Sequence, residues 1–194
     1  MFRNDDEPNR YHFCSTTEDG QYVVLNTSTG TDGNSLHVKS LKEDGADWMP
    51  LVEGFTHHSS VVEHVNGALY MLTDIDAPRY RLVAADPTDP SNTLLWRDIL
   101  PESEDLLESV SVVGGQLWAI YLHNASNRVL RCDLDGSNPR VVILPSDVGS
   151  VGGFGGKMDA SDLYYGLACF TQPTTILLPD LAYRTSSLLS HHFL

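Results

Sequence analysis

Along most of the chain, runs of five to eight residues alternate apolar and polar side chains, and clusters of Gly, Pro, Asn and Asp separate the runs. Alternation with a period of two is the pattern of strands, and the helical period is almost missing. One apolar, aromatic-rich run recurs after a tight polar turn. It reads Gly20-Gln21-Tyr22-Val23-Val24-Leu25, then Gly67-Ala68-Leu69-Tyr70-Met71-Leu72, Gly115-Gln116-Leu117-Trp118-Ala119-Ile120 and Asp162-Leu163-Tyr164-Tyr165. The turn residues step by 47, 48 and 47 positions. The next strand keeps that step, with Leu36, Leu82, Leu130 and Ile176 spaced by 46, 48 and 46. A period in this range is what a four-stranded propeller blade requires. The pattern therefore predicts an all-β fold, a partial β-propeller of about four four-stranded blades, over 12–54, 55–103, 104–147 and 148–194.

Within the second unit, Ser59 to Val65 reads as the inner strand, Ala68 to Thr73 and Tyr80 to Ala85 as the middle pair, and Leu94 to Leu100 as the outer strand. Pro87, Pro90, Pro101, Pro139 and Pro145 fall at proposed strand borders, where a missing N–H costs least. Asp135-Gly136 suits a hairpin connection. The tail from Tyr183 to Leu194 is less regular.

Composition adds exclusions. A formal charge of −14 over 194 residues repels phosphate backbones, so no nucleic-acid partner is expected. No apolar stretch reaches the ~18 residues of a helical membrane span, so no membrane partner is expected either. The start, Met1-Phe2-Arg3-Asn4-Asp5-Asp6-Glu7, lacks the apolar core of a secretory signal. Three cysteines, Cys14, Cys132 and Cys169, form no C-x-x-C pair; they read as buried free thiols of a cytoplasmic protein. The sequons at Asn26 and Asn124 read as chance matches to a short pattern.

Candidate chemistry is thin. Gly149-Ser150-Val151-Gly152-Gly153 approaches the G-x-S-x-G elbow, but Val148 stands where the first glycine belongs, and Ser150 reads as a turn entering an inner strand. Gly152-Gly153-Phe154-Gly155-Gly156-Lys157-Met158 fails as a phosphate loop, because Val151 and Met158 replace the first glycine and the Ser or Thr; it reads as a flexible hairpin turn. His57, His58 and His64, with His191-His192, do not converge as zinc requires and read as loop and surface residues. Glu102, Glu104, Asp105 and Glu108 read as a solvated loop, and Asp86 with Asp89 lacks a calcium-loop pattern. Trp48, Trp96 and Trp118 could stack on a ligand, but Trp48 and Trp96 are one repeat step apart, and structural packing in successive outer strands explains them better. Val61 and Val112 are named as inward-facing positions that line a channel. No catalytic residue, cofactor or metal ligand is assigned.

Four segments carry a resemblance. They are 18–25 continuing through Gly30-Thr31-Asp32-Gly33-Asn34-Ser35-Leu36; Ala77-Pro78-Arg79-Tyr80-Arg81-Leu82-Val83; Trp96-Arg97-Asp98-Ile99-Leu100-Pro101-Glu102; and Val148 to Lys157 leading to Phe170-Thr171-Gln172-Pro173-Thr174-Thr175-Ile176. In order and spacing, over about residues 5–182, the chain resembles the N-terminal propeller of the prolyl oligopeptidase (prolyl endopeptidase) family. The resemblance implies a seven-bladed propeller capping an α/β-hydrolase domain with a Ser-Asp-His triad, which cleaves short peptides after proline while the propeller restricts access. It implies that this chain is an internal run of blades, a fragment without the hydrolase domain and inert alone. A standalone four-bladed propeller that binds peptides or proteins is the other reading.

Overall fold

A computed structural model describes residues 9–146, 148–170, 172–180 and 185–190. Among these residues the chain forms sixteen strands and one short 3-10 turn, arranged as four antiparallel sheets of four strands each. Strand order in every sheet follows sequence order, so each sheet is an up-and-down meander. Sheet one contains β1 (Tyr11–Thr16), β2 (Tyr22–Ser28), β3 (Asn34–Ser40) and β4 (Met49–Val52). Sheet two contains β5 (Ser59–Val65), β6 (Ala68–Thr73), β7 (Arg81–Ala85) and β8 (Arg97–Leu100). Sheet three contains β9 (Leu106–Val113), β10 (Gln116–His123), β11 (Ser126–Asp133) and β12 (Arg140–Val142). Sheet four contains β13 (Ser150–Gly155), β14 (Tyr164–Cys169), β15 (Gln172–Asp180) and β16 (Thr185–Ser190).

The turns show why the repeat anchors on glycine. Gly20, Gly67 and Gly115 have φ of 66°, 83° and 70°, the left-handed region that a residue with a Cβ enters at a cost. Asn66-Gly67 and Gly114-Gly115 each place two successive residues there, as the tight hairpin turn between right-twisted strands demands. The fourth unit departs from this: Asp162 lies in a longer connection between β13 and β14 and is not in the left-handed region. Leu94 and Leu95 also depart from expectation. They lie in the 3-10 turn Thr93–Leu95 and point to solvent, and the outer strand begins only at Arg97. The loop before them closes on itself through Asp86, Asp89 and Asn92, which shortens β8.

The described residues fall into two compact units, one within 1–78 and 82–98, the other within 79–81 and 99–194. In the first, Val24, Leu36, Val38, Leu51 and Val52 of sheet one meet Leu69, Met71, Val83 and Ala85 of sheet two in one apolar cluster. In the second, Val113, Trp118, Ile120 and Val129 of sheet three meet Val151, Phe154, Tyr165, Leu167 and Leu177 of sheet four. Trp118, Phe154 and Tyr165 stack in series, with ring centroids 4.8 and 5.2 Å apart. Sheets with both faces covered lose the clean polar alternation of a half-solvated sheet, which is why β6 and β10 are buried almost throughout.

Two asparagines tie the sheets together by the same device. Asn34, the first residue of β3, donates its backbone N–H to the His57 carbonyl (2.9 Å), and its Oδ1 accepts the Ser59 N–H (3.0 Å). Asn127, in β11, donates its N–H to the Gly149 carbonyl (3.0 Å), and its Oδ1 accepts the Val151 N–H (2.6 Å). In each unit the side chain thus satisfies the backbone where the chain enters the inner strand of the next sheet. The two asparagines stand 93 positions apart, two repeat steps.

Candidate functional site

The glycine run is not a hairpin turn. Gly152, Gly153, Phe154 and Gly155 lie inside β13, whose register shifts between Val151 and Phe154, a bulge with Gly153 at φ 100°. Its glycines make room for packing. A Cβ on Gly155 would run into the Tyr164 ring, and one on Gly156 would meet Val113 and the Asp162 carbonyl. Lys157 is exposed, and its carbonyl accepts the Gly114 N–H at 3.1 Å. The run therefore shapes the seam between sheets three and four, and its backbone amides do not form a phosphate cradle. Ser150 is the exposed first residue of β13, paired with Ala168.

The histidines are arranged more closely than their spacing indicated. His64, expected at the surface, is buried on β5 at 8% exposure. Its Nδ1 lies 2.6 Å from Asp19 Oδ2, and its ring packs edge-on against Tyr22, with centroids 4.9 Å apart. Asp19 Oδ1 accepts the Thr17 hydroxyl at 2.7 Å and the Gln21 N–H at 3.0 Å. Burial pushes the Asp19 carboxyl up, but the bonds from His64, Thr17 and Gln21 outweigh it and hold the group below its ordinary value. Beside this pair, Glu63 Oε1 accepts the backbone N–H of Glu18 and of His64, both at 2.9 Å. The tight β1–β2 turn is thereby fastened to β5. Sequence reasoning missed this because the partners are 45 residues apart.

Two further histidines meet carboxylates. His57 Nδ1 lies 3.2 Å from Asp74 Oδ1, which also accepts the His58 N–H. His123 Nδ1 lies 2.8 Å from Asp105 Oδ1, and Arg128 approaches the other oxygen of that carboxylate at 3.6 Å. A carboxylate on Nδ1 is the rear half of a hydrolytic triad, which needs a hydroxyl or thiol on Nε2. Among the described residues no Ser, Thr or Cys bonds any of these three Nε2 atoms; that of His123 meets the Asn124 side chain. Nor do three or more His, Cys, Asp or Glu side chains converge on a common point there. His191 and His192 lie outside the described residues.

The acidic positions work locally. Glu102 Oε1 accepts the Arg79 N–H at 2.7 Å, and Glu108 Oε2, on β9, accepts the Asn127 amide at 2.6 Å. Glu104 is exposed. Asp86 caps the turn to Thr88, and Asp89 accepts from Asn92.

Trp48 and Trp96 sit one residue before β4 and β8, and Trp96 donates its indole N–H to the Pro90 carbonyl. Trp118 lies on β10, within the recurring apolar run, and donates its indole N–H to the Val113 carbonyl. Val61, half-buried on β5, packs against the first apolar cluster, and Val112 on β9 is buried at 8% exposure. Of the three cysteines, Cys132 is buried and Cys169 half-buried, but Cys14, expected inside, is exposed because β1 is a sheet edge. Desolvation pushes the Cys132 thiol up to about 11.

The family model described as prolyl oligopeptidase, N-terminal beta-propeller domain, matches residues 1–192. Among curated relatives, a prolyl endopeptidase of Elizabethkingia meningoseptica is 34% identical over 172 residues, 89% of this chain and 24% of its own length. One from Elizabethkingia miricola is 32% identical over the same share of each chain. Among solved structures, one from a structural and mechanistic study of two prolyl endopeptidases superposes with a TM-score of 0.83 at 32% identity, covering 93% of this chain and 26% of that one. The apo prolyl oligopeptidase B of Galerina marginata shares the fold, with a TM-score of 0.84 at 21% identity over 98% of this chain and 28% of its own. The chain spans about a quarter of the length of the curated relatives it matches.

Proposed function

Because the chain belongs to the prolyl oligopeptidase family, as its N-terminal β-propeller domain, we propose that it is the gating part of a prolyl-endopeptidase-like serine peptidase. In the intact enzyme it admits short proline-containing peptides and restrains larger chains, while an α/β-hydrolase domain supplies the Ser-Asp-His triad. By itself the chain is inert. The observation that carries this reading is the end-to-end match of four meandering sheets to the family's propeller, at about a quarter of the relatives' length.

Two features of the site support it. The three His–Asp pairs hold turns in place and lack a nucleophile among the described residues. The edge strand β1 leaves Tyr11 and Phe13 largely exposed, at 64% and 66%, as a surface that further propeller sequence covers in the longer protein. No helix among the described residues is long and apolar enough to cross a membrane, and a cytoplasmic setting is part of the proposal. The test is hydrolysis of a chromogenic proline-containing peptide by the purified chain. The reading predicts no turnover; turnover abolished by a serine-directed inhibitor would overturn it.

A further inference from the structure

Strands β10 and β11 gather four side chains on one face of sheet three. Tyr121 stands directly opposite Arg128 in the ladder, and His123 and Leu130, each two positions along its own strand, point the same way. The segment Ser103 to Asp105, just before β9, closes a cavity of about 370 Å³ with them. That volume lies in the range of small-molecule pockets, about 300–1,000 Å³. The described residues that line it all belong to the second compact unit.

The wall of this cavity is braced. Ser103 donates its hydroxyl to the Asp105 carbonyl at 3.0 Å, and His123 Nδ1 lies 2.8 Å from Asp105 Oδ1. His123 Nε2 accepts the Asn124 amide at 3.0 Å, so the ring proton sits on Nδ1 and the imidazole is neutral. Arg128 comes only to 3.6 Å from the other oxygen of Asp105, beyond hydrogen-bond reach. Its guanidinium therefore keeps its N–H donors for a further acceptor.

Tyr121 is the less ordinary member. It is 6% exposed, yet its hydroxyl has no hydrogen-bond partner among the described residues and is not sealed off from the cavity it lines. A buried phenol ordinarily finds a partner within the fold. Burial first, with Cys132 and Asp105 behind it, pushes this hydroxyl above its ordinary value, against the opposing pull of Arg128. The group thus stays protonated and stands as a donor beside a second donor, the Arg128 guanidinium.

Two adjacent donors call for a carboxylate, but a simple anion is a poor occupant. The chain carries a formal charge of −14, and Glu104, exposed at the cavity, adds a carboxylate with no ion pair among the described residues. A molecule that bears both charges satisfies both sides. Leu130, half-buried, and the Tyr121 ring supply an apolar wall. The geometry points to a binding site for a free aliphatic α-amino acid, its carboxylate accepting from the Tyr121 O–H and Arg128, its ammonium facing Glu104 and its side chain lying on Leu130. The gating role makes no use of this cavity, and the two readings stand or fall separately.

The probe is L-leucine, titrated into the isotope-labelled chain and followed by amide chemical shifts. Shifts should concentrate at 103–105, 121–123 and 128–130. 4-Methylpentanoate, which lacks the ammonium, and leucinamide, which lacks the carboxylate, should each bind about tenfold or more weakly. Tyr121→Phe should weaken leucine by a similar factor. The same substitution should leave the melting temperature of the unliganded chain unchanged or higher, because a buried hydroxyl without a partner adds nothing to the fold. Arg128→Gln should lessen the preference for leucine over leucinamide. Absence of shifts at these amides, equal binding of either analogue, or full binding to the Tyr121→Phe chain overturns the proposal. So does a lower melting temperature for Tyr121→Phe, which would show the hydroxyl to be engaged within the fold.

Discussion

Asn34 and Asn127 each replace a missing stretch of ladder with side-chain bonds at the point where one sheet hands over to the next. Removing a buried amide leaves the Ser59 or Val151 N–H without its acceptor, at a cost of about 1–3 kcal/mol. Asn34→Ala should therefore lower the unfolding free energy by that amount in urea titrations, and more than Asn127→Ala, because Asn34 is buried at 8% exposure and bonds Ser59 twice whereas Asn127 is only half-buried. Asp19 makes a second prediction. Its carboxyl lies below the usual 3.8 in the folded chain, so its contribution is full above the unfolded value and is lost as pH falls through the lower folded value. Asp19→Asn should destabilise the chain near neutral pH, and the gap to the parent should close as the solution is taken below about pH 3.8, read by thermal melts across pH. Thiol chemistry gives a third. With its thiol raised to about 11 and its side chain buried, Cys132 should resist a disulfide-exchange reagent at pH 8 until the chain unfolds, whereas exposed Cys14 should react at once.

At the scale of strands and turns, the seam between sheets three and four rests on the Trp118–Phe154–Tyr165 stack. Trp118→Ala should cost about 3–5 kcal/mol and lower the melting temperature accordingly. The strands themselves were legible in the sequence because they are short and alternate, and because Gly20, Gly67 and Gly115 punctuate them at one interval. β5 and β6 occupy Ser59–Val65 and Ala68–Thr73, the spans read from the pattern alone. Leu94 and Leu95 misled because apolar character does not distinguish an outer strand from a turn that precedes one. The run from Gly152 to Gly156 misled for a related reason. Glycine marks both loose turns and close packing, and only the Tyr164 ring beside Gly155 shows which applies. His64–Asp19 was beyond reach, since nothing local to either residue specifies a partner in another sheet.

For the molecule as a whole, the sequence repeat and the family match agree on propeller sheets, and the chain spans about a quarter of its curated relatives. A chain that is part of a larger propeller should expose surface meant for covering, and the Tyr11–Phe13 edge of β1 is such a surface. Light scattering at micromolar concentration should accordingly show concentration-dependent association of the isolated chain. A stable monomer would instead favour a self-contained four-bladed module that binds peptides or proteins.

The central claim is that this polypeptide builds propeller sheets and leaves bond cleavage to another domain. Incubating the purified chain with a fluorophosphonate, which forms a covalent adduct only with an activated serine, and weighing the intact protein addresses it most directly. The account predicts an unchanged mass. A single stoichiometric adduct, on Ser150 or any other serine, would contradict it.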